Sequence, residues 1–267
     1  CIRDRRGTVG GNTACVSVEW QDATIILDAG TGIRMLGKEL MQREFRSGNG
    51  EAHILFTHTH WDHIMGFPYF APLFQPNTIH LYGGHADLED RLRYQQDERF
   101  YPVPLEMFPA DLHFHHVQER KEYPLPGDGH FEVRKLLHPG DSFGYKVSWQ
   151  SHSVVFVTDS EYKLDDNGLF QNVRDFALNT DLLIFDSQYT LEESLIKEDW
   201  GHSTAVIGVK LAVEAGVKRL ALFHHEPNYG DSFIHSLVKS AHDYKNNTHP
   251  DAELEILLAV EGDSVFL

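Results

Sequence analysis

Four side chains that bind metal ions well occur within six residues of this chain, directly after a short apolar run. The apolar run Ile54–Phe56 predicts a buried strand, and it leads into His58-Thr59-His60-Trp61-Asp62-His63. In an extended chain His58 and His60 point the same way and can share one ion. Asp62 and His63 lie past a turn and can supply a second ion. Three imidazoles and a carboxylate suit borderline divalent ions such as zinc, so the run predicts a metal site rather than a histidine-rich surface loop.

Apolar runs of strand length alternate with helical patterns along the rest of the chain. The predicted strands are Ala14–Glu19, Ala23–Asp28, Ala52–Thr57, Thr78–Tyr82, Phe131–Leu137, Gly144–Trp149, Ser153–Asp159, Asp181–Asp186, Arg219–His224 and Glu253–Val260. The predicted helices are Gly32–Arg43, Ser203–Gly216 and Ser232–Tyr244, and either Ser203 or Thr204 is available to cap the second. This alternation predicts a layered α/β fold in a single domain that spans residues 1–267.

Residues 84–127 depart from that alternation. A charged helical stretch, Asp87–Phe100, is followed by proline-rich and aromatic sequence. We interpret the segment as an excursion from the core that covers an active site or contacts a partner. An ordinary surface insertion is the alternative.

The charge balance constrains the partners. The chain carries 40 acidic and 23 basic residues, a formal net charge of −17, which repels extended nucleic acid and anionic lipid. A small anionic substrate is compatible with this charge where bound metal supplies cations.

Two cysteines, Cys1 and Cys15, are too few for a disulfide framework and favour a reducing, cytoplasmic setting. No apolar run approaches the length of a membrane span. Because the chain begins at Cys1 and not at methionine, we expect residues upstream of it.

Six further motifs follow one another along the chain in the same order as the motifs of a known protein family. They are Gly10-Gly11-Asn12-Thr13-Ala14-Cys15, Leu27-Asp28-Ala29-Gly30-Thr31-Gly32, Leu137-His138-Pro139-Gly140-Asp141, Val157-Thr158-Asp159-Ser160, Gly201-His202-Ser203-Thr204 and Leu222-Phe223-His224-His225-Glu226-Pro227. With the H-x-H-x-D-H run after a strand, the chain resembles the metallo-β-lactamase superfamily over nearly its whole length. The last two motifs resemble its ribonuclease Z and cyclic-nucleotide phosphodiesterase branch. The resemblance implies an αββα sandwich and two divalent metal ions, with zinc expected and manganese or iron as alternatives.

The resemblance also implies a role for each matching residue. The implied metal ligands are His58, His60, Asp62, His63, His138, Asp159 and His224. Asp159 is expected to bridge the two ions, and Asp28 and Asp186 are expected to support the ligands. Asp62 and His202 are the implied catalytic groups, Asp62 to orient the nucleophile and His202 to assist the leaving oxygen from a position before a helix. On the residues alone, His138 is also compatible with an ordinary strand-end histidine, Asp159 with a helix cap and His202 with a capping or packing histidine.

Two sets of histidines compete with this assignment. His225 follows His224 directly, and strand alternation points it elsewhere unless the loop turns sharply. The cluster His113, His115 and His116 matches no family motif, and we expect it to form a solvated face. The same interpretation applies to the remaining histidines, which are His53, His80, His85, His130, His152, His235, His242 and His249.

The predicted activity is hydrolysis of a small phosphodiester, with a cyclic nucleotide as the first hypothesis. A hydroxide between the two ions would attack phosphorus, and the cations would neutralise the developing charge. A tRNA 3′-processing nuclease is one alternative, but residues 84–127 are acidic where such an enzyme needs a basic arm. A thioester or lactone hydrolase, and a binding module without turnover, are the others. A homodimer is common in the branch that the chain resembles and is left open.

Overall fold

The computed structural model describes residues 7–163 and 168–267. These residues form two compact units. The N-terminal unit comprises Asn12–Lys121 and Leu125–Gly127, and the C-terminal unit comprises Glu122–Pro124, Asp128–Leu267 and residues 7–11, with the undescribed 164–167 left aside. Cys1 lies outside the described residues. The prediction of a single domain with an excursion at 84–127 stays a prediction.

The N-terminal unit is built on a five-stranded sheet in the strand order β1-β2-β3-β4-β5. The strands are β1 (Val16–Trp20), β2 (Ala23–Leu27), β3 (Glu51–Phe56), β4 (Thr78–Gly83) and β5 (Asp111–His116). β1 and β2 form an antiparallel hairpin, and β2 to β5 are parallel. The helices are α1 (Ile33–Leu40), α2 (Trp61–Ile64) and α3 (Leu88–Gln95), with 3-10 turns at Glu44–Ser47, Phe67–Tyr69, Ala71–Phe74 and Leu105–Met107.

The core of this unit lies on one face of the sheet. Ile26, Ile54 and Leu81 occupy matching positions on β2, β3 and β4, so they form a row of buried side chains. Because side chains alternate along a strand, this row belongs to one face. Residues from 84–127 also join the core, since Leu88 and Phe108 are buried in the same cluster. Part of that segment is therefore packed structure.

The C-terminal unit is built on a seven-stranded sheet in the order β12-β11-β10-β9-β8-β7-β6. The strands are β6 (Glu122–Leu125), β7 (Gly129–Leu136), β8 (Ser142–Trp149), β9 (His152–Val157), β10 (Leu182–Asp186), β11 (Arg219–Phe223) and β12 (Glu255–Leu258). β9 to β12 are parallel, whereas β7, β8 and β9 pair antiparallel. The helices are α4 (Leu169–Phe176), α5 (Leu191–Ile196), α6 (Ala205–Glu214) and α7 (Asp231–Thr248).

The predicted α/β class is confirmed, and each of the ten predicted strands is present with ends that differ by a few residues. The sequence patterns did not predict strands β5 and β6 or helices α2, α4 and α5. β5 is rich in histidine and has no buried position, which hides its alternation. α6 begins at Ala205, and its N-cap is Thr204, whose side chain accepts a hydrogen bond from the Ile207 amide. Of the two predicted caps, Thr204 is thus the one used.

Parallel strands place their carboxyl ends at one edge of a sheet. In the N-terminal unit this edge carries Asp28 after β2 and His58 shortly after β3. In the C-terminal unit it carries Asp159 after β9, Asp186 at the end of β10 and His224 after β11. Polar side chains at such an edge are the usual source of binding sites in α/β proteins. Among the described residues, no helix is both long and apolar enough to cross a membrane.

We predict that Phe45→Ala lowers the free energy of unfolding by about 3–5 kcal/mol, because it empties a filled core position. The Phe45 side chain is fully buried. Phe100→Ala is the matched control, because that ring is 57% exposed, and it should change the stability by less than about 1 kcal/mol. Urea denaturation followed by circular dichroism measures both. Equal losses for the two variants would contradict the assigned core.

Candidate metal centre

Asp28 joins the ends of β2 and β3. Its carboxylate is fully buried and accepts hydrogen bonds from the Thr57 amide (2.7 Å to Oδ1) and the Thr57 hydroxyl (2.8 Å to Oδ2). Asp28 itself adopts a positive φ of 62°, a conformation that is uncommon outside glycine. The strand ends are therefore held by a side chain, and the loop that begins at Thr57 starts from a defined position.

The same carboxylate orients His63. Nδ1 of His63 lies 2.8 Å from Oδ2 of Asp28, and both side chains are fully buried. Because an ionised carboxylate only accepts, the proton lies on Nδ1 and Nε2 carries the lone pair that can bind a metal. Nε2 is 3.6 Å from Oδ2 of Asp62. Burial raises the pKa of the Asp28 carboxyl, and the His63 imidazole and the Thr57 hydrogen bonds oppose that rise.

His58 and His60 lie beside His63 in the same loop. Thr57 Oγ1 donates to Asp28 and lies 3.0 Å from Nδ1 of His58, so its oxygen accepts the His58 proton and Nε2 is again the ligating atom. The His58 ring centroid is 4.5 Å from that of His60 and 4.2 Å from that of His63. The structure thus brings together, within one unit, the four residues that the sequence predicted as ligands there. We call them the N-terminal cluster: His58, His60, Asp62 and His63.

Helix α3 supports the loop of the N-terminal cluster. Arg91 donates from Nη1 to the Thr59 hydroxyl at 3.0 Å, and Gln95 donates from Nε2 to the Ile64 carbonyl at 2.7 Å. Both residues belong to segment 84–127, which the sequence predicted to be either an excursion that covers an active site or contacts a partner, or an ordinary surface insertion. They position a loop that carries candidate ligands.

The C-terminal unit gathers a second group of candidate ligands around Asp159. We call it the C-terminal cluster: His138, Asp159, Asp186, His202 and His224. Asp159 and His224 follow their strands with positive φ values of 51° and 57°. The Asp159 carboxylate is buried and accepts a hydrogen bond from the Thr158 hydroxyl at 2.7 Å. It lies in a loop after β9, and the described residues that follow it, 160–163, are not helical, so Asp159 is not the helix cap that the sequence left as an alternative.

The two oxygens of Asp159 face different imidazoles. Oδ2 lies 3.7 Å from Nε2 of His138, and Oδ1 lies 3.4 Å from Nε2 of His224. Two ligands on one tetrahedral zinc ion, with bonds of about 2.0–2.2 Å, lie roughly 3.4 Å apart. The separations and the donor types therefore fit one cation at each oxygen of a bridging carboxylate.

His138 is oriented by the backbone of Gly201. Its Nδ1 donates to the Gly201 carbonyl at 2.8 Å, which leaves the lone pair on Nε2. Gly201 has a φ of 84°, and a Cβ at this position would lie 2.1 Å from Nδ1 of His138. Only glycine fits this contact. Glu161, which sequence analysis missed, holds the same loop by accepting from the Gly201 amide at 3.0 Å.

His202 is held by Asp186. Nδ1 of His202 donates to Oδ2 of Asp186 at 2.9 Å, and the Asp186 side chain is fully buried. The His202 ring stacks on that of His224, with centroids 5.2 Å apart and an interplanar angle of 15°. One ligand-type atom from each of Asp159, Asp186, His202 and His224 lies within 4.8 Å of the others. Since Thr204 caps α6, His202 is not its cap.

His225 takes a different position from His224. Its Nδ1 lies 3.4 Å from the Ser187 hydroxyl, and it is not among the candidate metal groups of the described residues. The two clusters together contain six imidazole side chains, all within the family motifs, and several carboxylates. This donor set suits a borderline divalent ion.

Comparison with known proteins supports the same family. The family model of the "Beta-lactamase superfamily domain" matches residues 23–225. A ribonuclease Z of Salinispora arenicola is 24% identical, over 80% of this chain and 80% of that protein. The metallo-beta-lactamase fold protein YhfI of Bacillus subtilis has a similar structure, with a TM-score of 0.68 and 21% identity over 97% of this chain and 95% of that one. A diphosphatase of the PhnP family gives a TM-score of 0.62 at 19% identity, over 97% of this chain and 85% of that one.

The family match covers most of the chain, including the loops of both clusters up to His225. It confirms the resemblance that the motifs predicted. The two similar structures are each less than 25% identical in sequence to this chain, so they support its fold alone. The chain therefore belongs to the beta-lactamase superfamily and is a metal-dependent hydrolase of that superfamily.

Proposed function

We propose that this hydrolase cleaves the phosphodiester bond of a small anionic substrate, with a cyclic nucleotide as the first candidate. The observation that carries the proposal is the hydrogen-bonded pair of His202 and Asp186 in the C-terminal cluster. It supplies a proton donor next to candidate metal ligands, which is what departure of an alkoxide from phosphorus requires. The names of two similar proteins, a ribonuclease Z and a diphosphatase, favour phosphate chemistry.

The charges of segment 84–127 favour a small substrate. Its four arginines each lie next to a carboxylate: Arg91 with Asp87, Arg93 with Glu89 and Glu106, Arg99 with Asp97, and Arg120 with Glu119. A guanidinium that already faces a carboxylate attracts a nucleic-acid phosphate less strongly. Together with the net charge of −17, these pairs favour a nucleotide over a folded RNA.

Processing of tRNA is the second candidate function, because ribonuclease Z relatives align with most of the chain. A thioester or lactone hydrolase of the same fold, and a module that binds without turnover, are weaker alternatives. The cytoplasmic location and the homodimer that the sequence suggested stay predictions.

Each residue of the two clusters has a distinct proposed task. Divalent ions, when bound, supply positive charge to the phosphate oxygens and lower the pKa of water. His58, His60, His63, His138, Asp159 and His224 would hold these ions, and Asp62 would both ligate and orient the attacking water. Asp186 keeps the proton of His202 on Nδ1 and stabilises the imidazolium, so Nε2 can protonate the leaving oxygen.

Removal of metal should abolish the activity. We expect dialysis against a chelator to eliminate hydrolysis of bis-p-nitrophenyl phosphate and of the active cyclic nucleotide, and added zinc or manganese to restore it. The measurement compares kcat/KM for a panel of cyclic nucleotides, a precursor tRNA and a thioester. No turnover of any phosphodiester by the metal-loaded protein would refute the proposal, and a preference for precursor tRNA would select the second candidate.

His202→Gln should lower kcat by about 10²–10⁴-fold for a nucleotide substrate, because the leaving ribose oxygen loses its proton donor. The loss should be smaller for bis-p-nitrophenyl phosphate, whose nitrophenolate leaves without protonation. Bound metal should be unchanged. His225→Gln is the matched control and should keep most of the activity. If kcat fell equally on both substrates and bound metal were lost as well, His202 would be a metal ligand and not the proton donor.

Asp28→Asn should weaken metal binding about 10–100-fold, because the amide no longer fixes the proton of His63 on Nδ1. Asp22→Asn, at an exposed position of the same unit, is the control and should not change the affinity. Competition with a chromophoric chelator measures both. Unchanged zinc affinity in Asp28→Asn would show that the carboxylate is not needed to orient His63.

A further inference from the structure

Three histidines form a row across the parallel sheet of the N-terminal unit. The strand register pairs His53 on β3 with His80 on β4, and His80 with His113 on β5. The rings of His53 and His80 are stacked, with centroids 4.8 Å apart and an interplanar angle of 10°. On the sequence we expected these residues to form a solvated face, and 27 positions separate His53 from His80 along the chain.

Glu51 places a carboxylate beside the first two of these histidines. Its Oε1 lies 3.2 Å from Nε2 of His53 and 3.4 Å from Nε2 of His80. One ligand atom from each of the three residues lies within 4.8 Å of the other two. The separations between oxygen and nitrogen match those of ligands that share one tetrahedral ion, roughly 3.4 Å.

The opposite ring nitrogens already have neighbours. Nδ1 of His53 lies 3.2 Å from the Tyr82 hydroxyl, and Nδ1 of His80 lies 3.1 Å from Nε2 of His115. Both Nε2 atoms are therefore the ones directed at Glu51. Such contacts to Nδ1 are the usual support of a metal-binding imidazole, because they fix the ring and its proton.

His53 has a buried ring nitrogen without a hydrogen bond. Its side chain is 6% exposed, and Nε2, although it lies 3.2 Å from Oε1 of Glu51, makes no hydrogen bond among the described residues. A buried polar atom of this kind costs free energy unless something binds it. A cation between Nε2 and Oε1 would satisfy both atoms.

We propose that Glu51, His53 and His80 form a binding site for a borderline divalent transition-metal ion, zinc in the first instance, apart from the two clusters at the strand ends. Two imidazoles and a carboxylate are a donor set that zinc accepts, with water as a further ligand. The ion would link β3 to β4 through side chains on neighbouring strands.

Protonation and access are compatible with this site. Burial lowers the pKa of His53 to about 4, with His80 as the next cause, and burial also lowers the pKa of His80. Both imidazoles are thus in the neutral form that binds metals at neutral pH. The Glu51 side chain is 53% exposed and lines a surface cavity with Gln21 and Asp22, so an ion can reach it from solvent.

Zinc stoichiometry tests the proposal. The full chain is stripped of metal, dialysed against buffered free zinc and analysed by inductively coupled plasma mass spectrometry. We expect Glu51→Gln and His80→Gln each to bind one zinc ion fewer per chain than the unchanged protein. Glu51→Gln preserves the shape of an exposed side chain, so its fold, checked by circular dichroism, should be retained even if that of His80→Gln is not.

His113→Gln is the matched control, because His113 lies in the same row but outside the three-residue group. It should bind as much zinc as the unchanged protein. Equal stoichiometry in the folded Glu51→Gln variant and the unchanged protein would overturn the proposal and leave the group as a hydrogen-bonding network. Because Glu51 belongs to neither strand-end cluster, this outcome is independent of whether the proposed phosphodiesterase activity is found.

Discussion

The two candidate clusters depend on buried carboxylates that hold imidazoles at the ends of parallel strands. Asp28 and Asp186 are both fully buried, and each accepts the Nδ1 proton of a histidine, at 2.8 Å for His63 and 2.9 Å for His202. A buried carboxylate is costly unless it is hydrogen-bonded, and here hydrogen bonds from backbone, hydroxyl and imidazole offset that cost. The same interaction thus occurs once in each unit. In the N-terminal unit it orients His63, a candidate metal ligand, and in the C-terminal unit it orients His202, the proposed general acid.

The backbone conformation at the strand ends also helps to position the candidate ligands. Asp28, Asp159 and His224 all have positive φ values, although none is glycine. Each such residue costs of order 1 kcal/mol, and such conformations persist where the surrounding structure enforces them. Gly201 completes the set, because its missing side chain lets its carbonyl approach His138. Positive φ and close approach therefore occur where the candidate ligands project from the sheet, as they also do in turns elsewhere in the chain, for example at Gln21 and Gln150.

The sequence predicted the parts of the site that lie close together along the chain. The spacing of the candidate ligands from His58 to His63 can be read directly from six consecutive residues. The strand-end residues Asp159 and His224 follow recognisable apolar runs. Contacts that depend on register or loop shape were not predictable. Glu161 holds Gly201 from 40 residues away, and His53 meets His80 only through the pairing of β3 with β4. Strand β5 was missed because none of its positions is buried, so its three histidines conceal the alternation of a half-buried strand.

Our central proposal is that the Asp159 carboxylate would hold one cation at each of its two oxygens. Diffraction from zinc-loaded crystals, collected above and below the zinc absorption edge, locates bound zinc directly. Anomalous peaks are predicted about 2.0–2.2 Å from the Asp159 oxygens and from Nε2 of His138 and of His224. Zinc-loaded crystals without anomalous density at these atoms would contradict the account.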